Sequence, residues 1–118
     1  MKYALLIYEN AGSPPALDDA EQRSVRAEYY ALRDEPTCVS GGQLQPVQTA
    51  TTVRVQDGRM LTTDGPFAET KEVFGGYYIF ELGDLDAALE MAARIPATRM
   101  GGSVEVRPLV EVPQRVED

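Results

Sequence analysis

Residues Tyr3 to Tyr8 are apolar at both alternations of an extended chain, with Tyr3, Leu5 and Ile7 on one side and Ala4, Leu6 and Tyr8 on the other. Successive side chains of a strand point to opposite faces, so this strand belongs in a sheet covered on both sides. The run Tyr77 to Leu82 is rich in apolar residues on both sides as well. A chain of 118 residues fits one domain with one core. Its helices can cover one sheet face, and the sequence predicts that a second copy covers the other, as in two-fold homo-oligomers.

The remaining elements follow from local chemistry. Lys2 to Glu9 is the first strand, bounded by the turn-rich segment Asn10 to Pro15. Asp18 and Glu21 have capping-box spacing, and Val25, Tyr29 and Leu32 follow at helical intervals before Pro36, which predicts a helix over 18–34. Cys38 to Leu44 reads as a bent or bulged strand, its Gly41-Gly42 pair permitting sharp twist or close approach of another backbone. Thr49 to Val55 and Arg59 to Thr63 flank Asp57-Gly58, a strong hairpin signal. Tyr77 to Leu82 is the next strand, and Asp84 then caps a second helix with Leu85, Ala88, Leu89, Ala92 and Ile95 on its apolar face. Ser103 to Val112 completes the strands, its valines opposite Glu105, Arg107, Leu109 and Glu111.

The resulting order is two split βαβ units with a hairpin between them. It predicts an α+β, ferredoxin-like sandwich with an inserted β-hairpin, forming a dimeric α+β barrel through its sheet faces. One unit spans residues 1–112, and residues 113–118 form a frayed tail.

Composition narrows the function. Nineteen acidic residues against eleven basic ones give a net charge of −8, and the basic residues are scattered, which argues against direct binding of nucleic acid or anionic lipid. No stretch approaches the roughly 18 apolar residues of a membrane span, and the N-terminal run lacks a cleavage-site pattern, which predicts a cytoplasmic protein. Cys38 is the sole cysteine and there is no histidine, so thiolate metal sites and histidine chemistry are absent. Dinucleotide and phosphate-loop signatures are missing too, and no cofactor or obligatory metal is expected.

The segment Asp64-Gly65-Pro66-Phe67-Ala68-Glu69-Thr70-Lys71-Glu72 joins backbone-restricting residues to four charges, then runs into Gly75-Gly76. Placed at the mouth of a shared cavity, Asp64 would gain basicity by desolvation and serve as the candidate base, with Lys71 neutralising an anionic group. The amides near Gly75 and Gly76 would donate to an oxyanion. Phe67, Glu69, Thr70 and Glu72 of the loop, with Tyr8, Tyr77, Glu105 and Arg107 from the sheet, complete the candidate ligand-binding set. The simpler role for these residues is structural: Asp64 capping its own turn, Phe67 plugging the core, Glu105 and Arg107 forming a salt bridge, and the tyrosines packing.

Asp64 to Glu72, Gly-Gly-Tyr-Tyr-Ile at 75–79, Val104 to Pro108, the opening Met-Lys-Tyr-Ala-Leu-Leu-Ile-Tyr and Gly42-Gln43-Leu44-Gln45-Pro46 together resemble the DGPF-type branch of the YCII-related proteins. The resemblance spans nearly the whole chain. It implies a dimeric α+β barrel, usually bacterial and cytoplasmic, without a settled activity, and an association with sigma factors of the extracytoplasmic-function type in some members. Similar proteins outside this branch carry a histidine-aspartate pair proposed as catalytic, and this chain has no histidine to match it. Two functions follow as expectations: acid-base chemistry on a small organic molecule in a ligand-sized cleft, or a ligand-binding or regulatory module without turnover that is linked to transcription initiation.

Overall fold

The computed structural model describes residues 1–11, 16–66, 68 and 70–111. Six strands and two helices alternate along it: β1 (Lys2–Asn10), α1 (Asp19–Arg33), β2 (Cys38–Gln43), β3 (Thr51–Gln56), β4 (Arg59–Asp64), β5 (Glu72–Glu81), α2 (Leu85–Ala93) and β6 (Ser103–Pro108). Short 3-10 turns occupy Val47–Thr49 and Pro96–Arg99.

The main sheet has the order β2-β5-β1-β6 and is antiparallel throughout. Each βαβ unit leaves a gap that a strand of the other unit fills, an arrangement compatible with a ferredoxin-like sandwich. Tyr3, Leu5 and Ile7 of β1 and Tyr78 and Phe80 of β5 are buried together with Leu32 of α1, Ala88 and Ala92 of α2, and Ile95 and Ala97 of the turn that follows. The core therefore lies between the sheet and both helices. Phe80, Leu5, Leu32 and Ile95 are among its fully buried side chains, each stabilising the fold by about 1.5–3 kcal/mol through removal of apolar surface from water.

The helix starts are set by their caps. The Asp18 carboxylate accepts from the Glu21 amide at 2.8 Å, and the Glu21 carboxylate accepts from the Asp18 amide at 3.3 Å. At α2, the Asp84 carboxylate accepts from the Ala87 amide at 2.8 Å. The α2 stripe differs from its expected burial: Ala88, Ala92 and Ile95 are buried, whereas Leu85 and Leu89 are each 49% exposed. Contact through two alanines brings the helix backbone close to the sheet and leaves the leucines on its flank.

Three strand boundaries differ from the sequence reading by more than one residue. β5 begins at Glu72 rather than Tyr77, because its polar first turn of sequence still pairs with the end of β1, Asn10 against Glu72 and Glu9 against Val73. β3 begins at Thr51, since the residues before it turn through a 3-10 bend in which the Thr49 amide donates to the Pro46 carbonyl at 2.9 Å. β6 ends at Pro108, beyond which the Leu109 amide makes one last bond, to the Lys2 carbonyl at 2.9 Å, where β1 itself begins. Gly12 to Pro15 of the first predicted turn, Val112 of the last strand and the tail 113–118 lie outside the described residues.

The predicted bulge in β2 is present, and the sheet carries a second one that the sequence reading does not contain. The β1–β5 register jumps between Ile7 and Tyr8, so that Gly75 is the extra residue, and the β2–β5 register jumps between Cys38 and Ser40, so that Val39 is. The hairpin turns on Asp57 at φ 51° and Gly58 at φ 75°, the two positive angles of a type I′ turn. It forms a separate two-stranded sheet with Val55 opposite Met60 and Val53 opposite Thr62.

Candidate functional site

The half of α1 that faces β2 and β5 stands above two glycine pairs and the Tyr78 ring, whose hydroxyl bonds to the helix. Gly41 and Gly42 of β2 and Gly75 and Gly76 of β5 form a floor, and α1 supplies a wall of Gln22, Val25, Arg26, Tyr29, Tyr30 and Arg33. Those six positions recur at three- and four-residue intervals, which places them along one side of the helix. The space between floor and wall is a cleft of about 370 Å³, closed at one end by Ile7 and Glu9 of β1.

Side chains at the floor positions would fill this space or collide with what borders it. A Cβ on Gly75 would lie 2.9 Å from the Glu9 carboxyl carbon, and one on Gly41 would lie 2.9 Å from the Tyr78 ring. On Gly76 it would lie 2.7 Å from the Gly42 carbonyl oxygen, so this pair of glycines also lets the two strands approach closely.

The polar groups of the cleft are held in defined states. The Tyr78 hydroxyl donates to the Tyr29 carbonyl at 2.8 Å, and burial pushes its pKa up to about 12. Tyr29 is raised as well, first by burial and then by the negative charge of Glu9. Both phenols remain protonated at neutral pH, and the proton of Tyr78 is engaged by the Tyr29 carbonyl. The Arg33 guanidinium stacks over the Tyr30 ring at 4.8 Å, a cation–π contact that fixes it at the cleft edge. Arg26 forms no ion pair among the described residues. Burial raises Cys38, whose thiol donates to the Ser40 carbonyl at 3.6 Å, as suits a boundary residue rather than a reactive one.

The residues singled out from the sequence fall in four places. Gly75, Gly76 and Tyr77 border this cleft. Tyr8, Thr70, Lys71 and Glu72 meet beside Asn10 and Gly101 in a wide, open concavity of about 770 Å³ at the end of β1 and β5. There the Ala11 amide donates to the Lys71 carbonyl at 2.7 Å, and the Ser103 hydroxyl donates to Glu72 Oε2 at 2.9 Å. Asp64 ends β4 opposite Thr51; it is exposed and borders neither space. Glu105 and Arg107 share the outer sheet face, paired with Leu6 and Ala4 of β1, with their charged groups 4.0 Å apart. Phe67 and Glu69 lie outside the described residues.

Glu9, Gln22, Arg26, Tyr29, Tyr30 and Arg33 were not among the sequence candidates. Their signal is the polar and aromatic stripe of α1, which acquires meaning once the two glycine pairs are placed beneath it. Among the described residues, no cluster of three or more cysteine, aspartate or glutamate side chains is arranged to hold a metal ion.

The model of the YCII-related domain matches residues 1–113. A protein of Rhizobium meliloti (strain 1021), described as uncharacterized, is 36% identical over 116 residues, covering 92% of each chain.

Proposed function

The chain belongs to the YCII-related family, and from that premise we propose that it binds a small, planar organic anion in the cleft between α1 and the glycine floor. The supporting observation is the coincidence of Gly41, Gly42, Gly75 and Gly76 beneath Arg26, Arg33 and the tyrosines of one helix face. Glycine floors admit a flat ligand close to backbone amides, arginine forks match carboxylate geometry, and phenol rings flank a planar group. In this reading Arg26 and Arg33 hold the anion, Gln22 and the phenols orient it, and Glu9 is the carboxylate placed to accept a proton. Glu9 thereby takes the part that sequence reasoning gives to Asp64.

Benzoate, with benzyl alcohol as the uncharged control, tests the reading by amide chemical shifts in isotope-labelled protein. Benzoate is expected to shift the amides of residues 41–42 and 75–76, and Arg26→Ala to weaken its binding about tenfold. Equal responses to both compounds, or shifts confined to residues 70–72 and 101, would overturn it.

We further propose that two copies cover each other's outer sheet faces as a dimeric barrel. Ala4, Leu6, Tyr8, Tyr77 and Ile79 of that face are only half-buried within one copy, and an antiparallel sheet facing water would carry polar residues there. The segment Asp64 to Glu72 supports a place in the DGPF-type branch of the family. Sedimentation at micromolar concentration is expected to show a two-copy species, and a stable single-copy species would refute the pairing.

A further inference from the structure

We propose that the cleft selects planar acids that carry a hydrogen-bond donor at the end opposite the acid group, with Arg26 and Arg33 taking the acid and Glu9 taking the donor. The inference rests on the cleft reading above and narrows the class of ligand that the site takes.

The two sides of the cleft carry opposite charge. In the main sheet β2 lies on one side of β5 and β1 on the other. Burial raises Cys38 and Tyr78, and the positive charge of Arg33 works against it at both, which sets that charge beside β2. Glu9 belongs to β1, and its negative charge is, after burial, the next influence on Tyr29. Arg99 also acts on Tyr29, but it is ion-paired with Glu28. The Glu9 carboxylate itself forms no hydrogen bond or ion pair among the described residues.

The bulge in β5 sets that carboxylate over the floor. Gly75 is the extra residue there, and a Cβ on it would lie 2.9 Å from the Glu9 carboxyl carbon and 3.1 and 3.2 Å from the two oxygens. Both oxygens thus lie against bare backbone, at the level where a flat ligand rests. Two strand spacings, about 9.6 Å, separate β2 from β1. One aromatic ring with groups at opposite ends, and a hydrogen bond at each, covers that distance. A ligand without the donor would strip water from Glu9 and return nothing, and one with a second acid group would set like charges together.

Titration of the isotope-labelled full chain with para-aminobenzoate, para-methylbenzoate and terephthalate, followed by amide chemical shifts, tests the selection. The amino and methyl groups are close in size, and burial of apolar surface alone would favour the methyl compound. Para-aminobenzoate is expected to bind about tenfold more tightly than either of the others. In Glu9→Met, which keeps the length of the side chain and removes the carboxylate, the ratio of the affinities for para-aminobenzoate and para-methylbenzoate is expected to fall to about one, with the circular dichroism spectrum of the parent. Equal binding of the three acids by the parent, or a folded variant that keeps the tenfold ratio, would overturn selection by Glu9 while leaving the anion cleft in place. No shift of residues 41–42 or 75–76 with any of the three would overturn both.

Discussion

At the scale of single residues, the tightest constraints fall on glycines where two backbones meet. A Cβ on Gly102 would lie 2.3 Å from the Tyr8 carbonyl oxygen, and one on Gly76 would lie 2.7 Å from that of Gly42. Neither obstacle is a side chain that can swing away. Gly102→Ala and Gly76→Ala are each expected to destabilise the fold by about 2 kcal/mol or more, read from the urea midpoint, whereas Gly83→Ala, with open space around it, should shift the midpoint little. Tyr78 gives a pH signature. Its pKa rises from 10.0 to about 12 on folding, so above pH 10 the unfolded chain releases a proton that the folded chain retains. The stabilisation is fully present below pH 10 and is lost as pH climbs through the interval to 12. Stability measured across that window should fall more steeply in the parent than in Tyr78→Phe.

At the scale of elements, the caps decide where helices begin. Asp18→Ala removes one half of a reciprocal pair and Asp84→Ala removes the side-chain acceptor at α2, so each should cost about 1 kcal/mol in thermal or urea unfolding. These elements were legible in the sequence because their signals are local: an aspartate three residues before a glutamate, Asp-Gly between alternating strands, a proline beyond a helix. The strand order was legible as well, since two βαβ units admit few arrangements of one antiparallel sheet. What depended on tertiary context was less so. Glu72 to Phe74 look like loop but pair with β1, because an exposed strand end tolerates charge. Leu85 and Leu89 look like core but stand on the flank of α2. The candidate cleft draws on α1, β1, β2 and β5, and no single segment announces it. Asp64, the foremost candidate by sequence, lies instead at the exposed end of β4.

At the scale of the whole molecule, protection should be uneven. The centre of the sheet, β1 and β5, has neighbours on both sides, whereas among the described residues β3 and β4 pair only with each other. Hydrogen exchange is expected to show strong protection over 3–7 and 76–80 and weak protection over 51–64. Equal protection of the two regions would count against a hairpin that stands apart from the main sheet. The sheet order also bears on how the chain is made. Lys2 pairs with Glu81 and Tyr3 with Pro108, so β1 leaves a ribosome long before either of its neighbours in the sheet, β5 and β6. Such distant closures place folding toward the slow end of the range for small domains. Until β5 emerges, the greasy opening segment has no lawful neighbour, and its safe passage depends on synthesis outrunning any stray encounter between nascent chains.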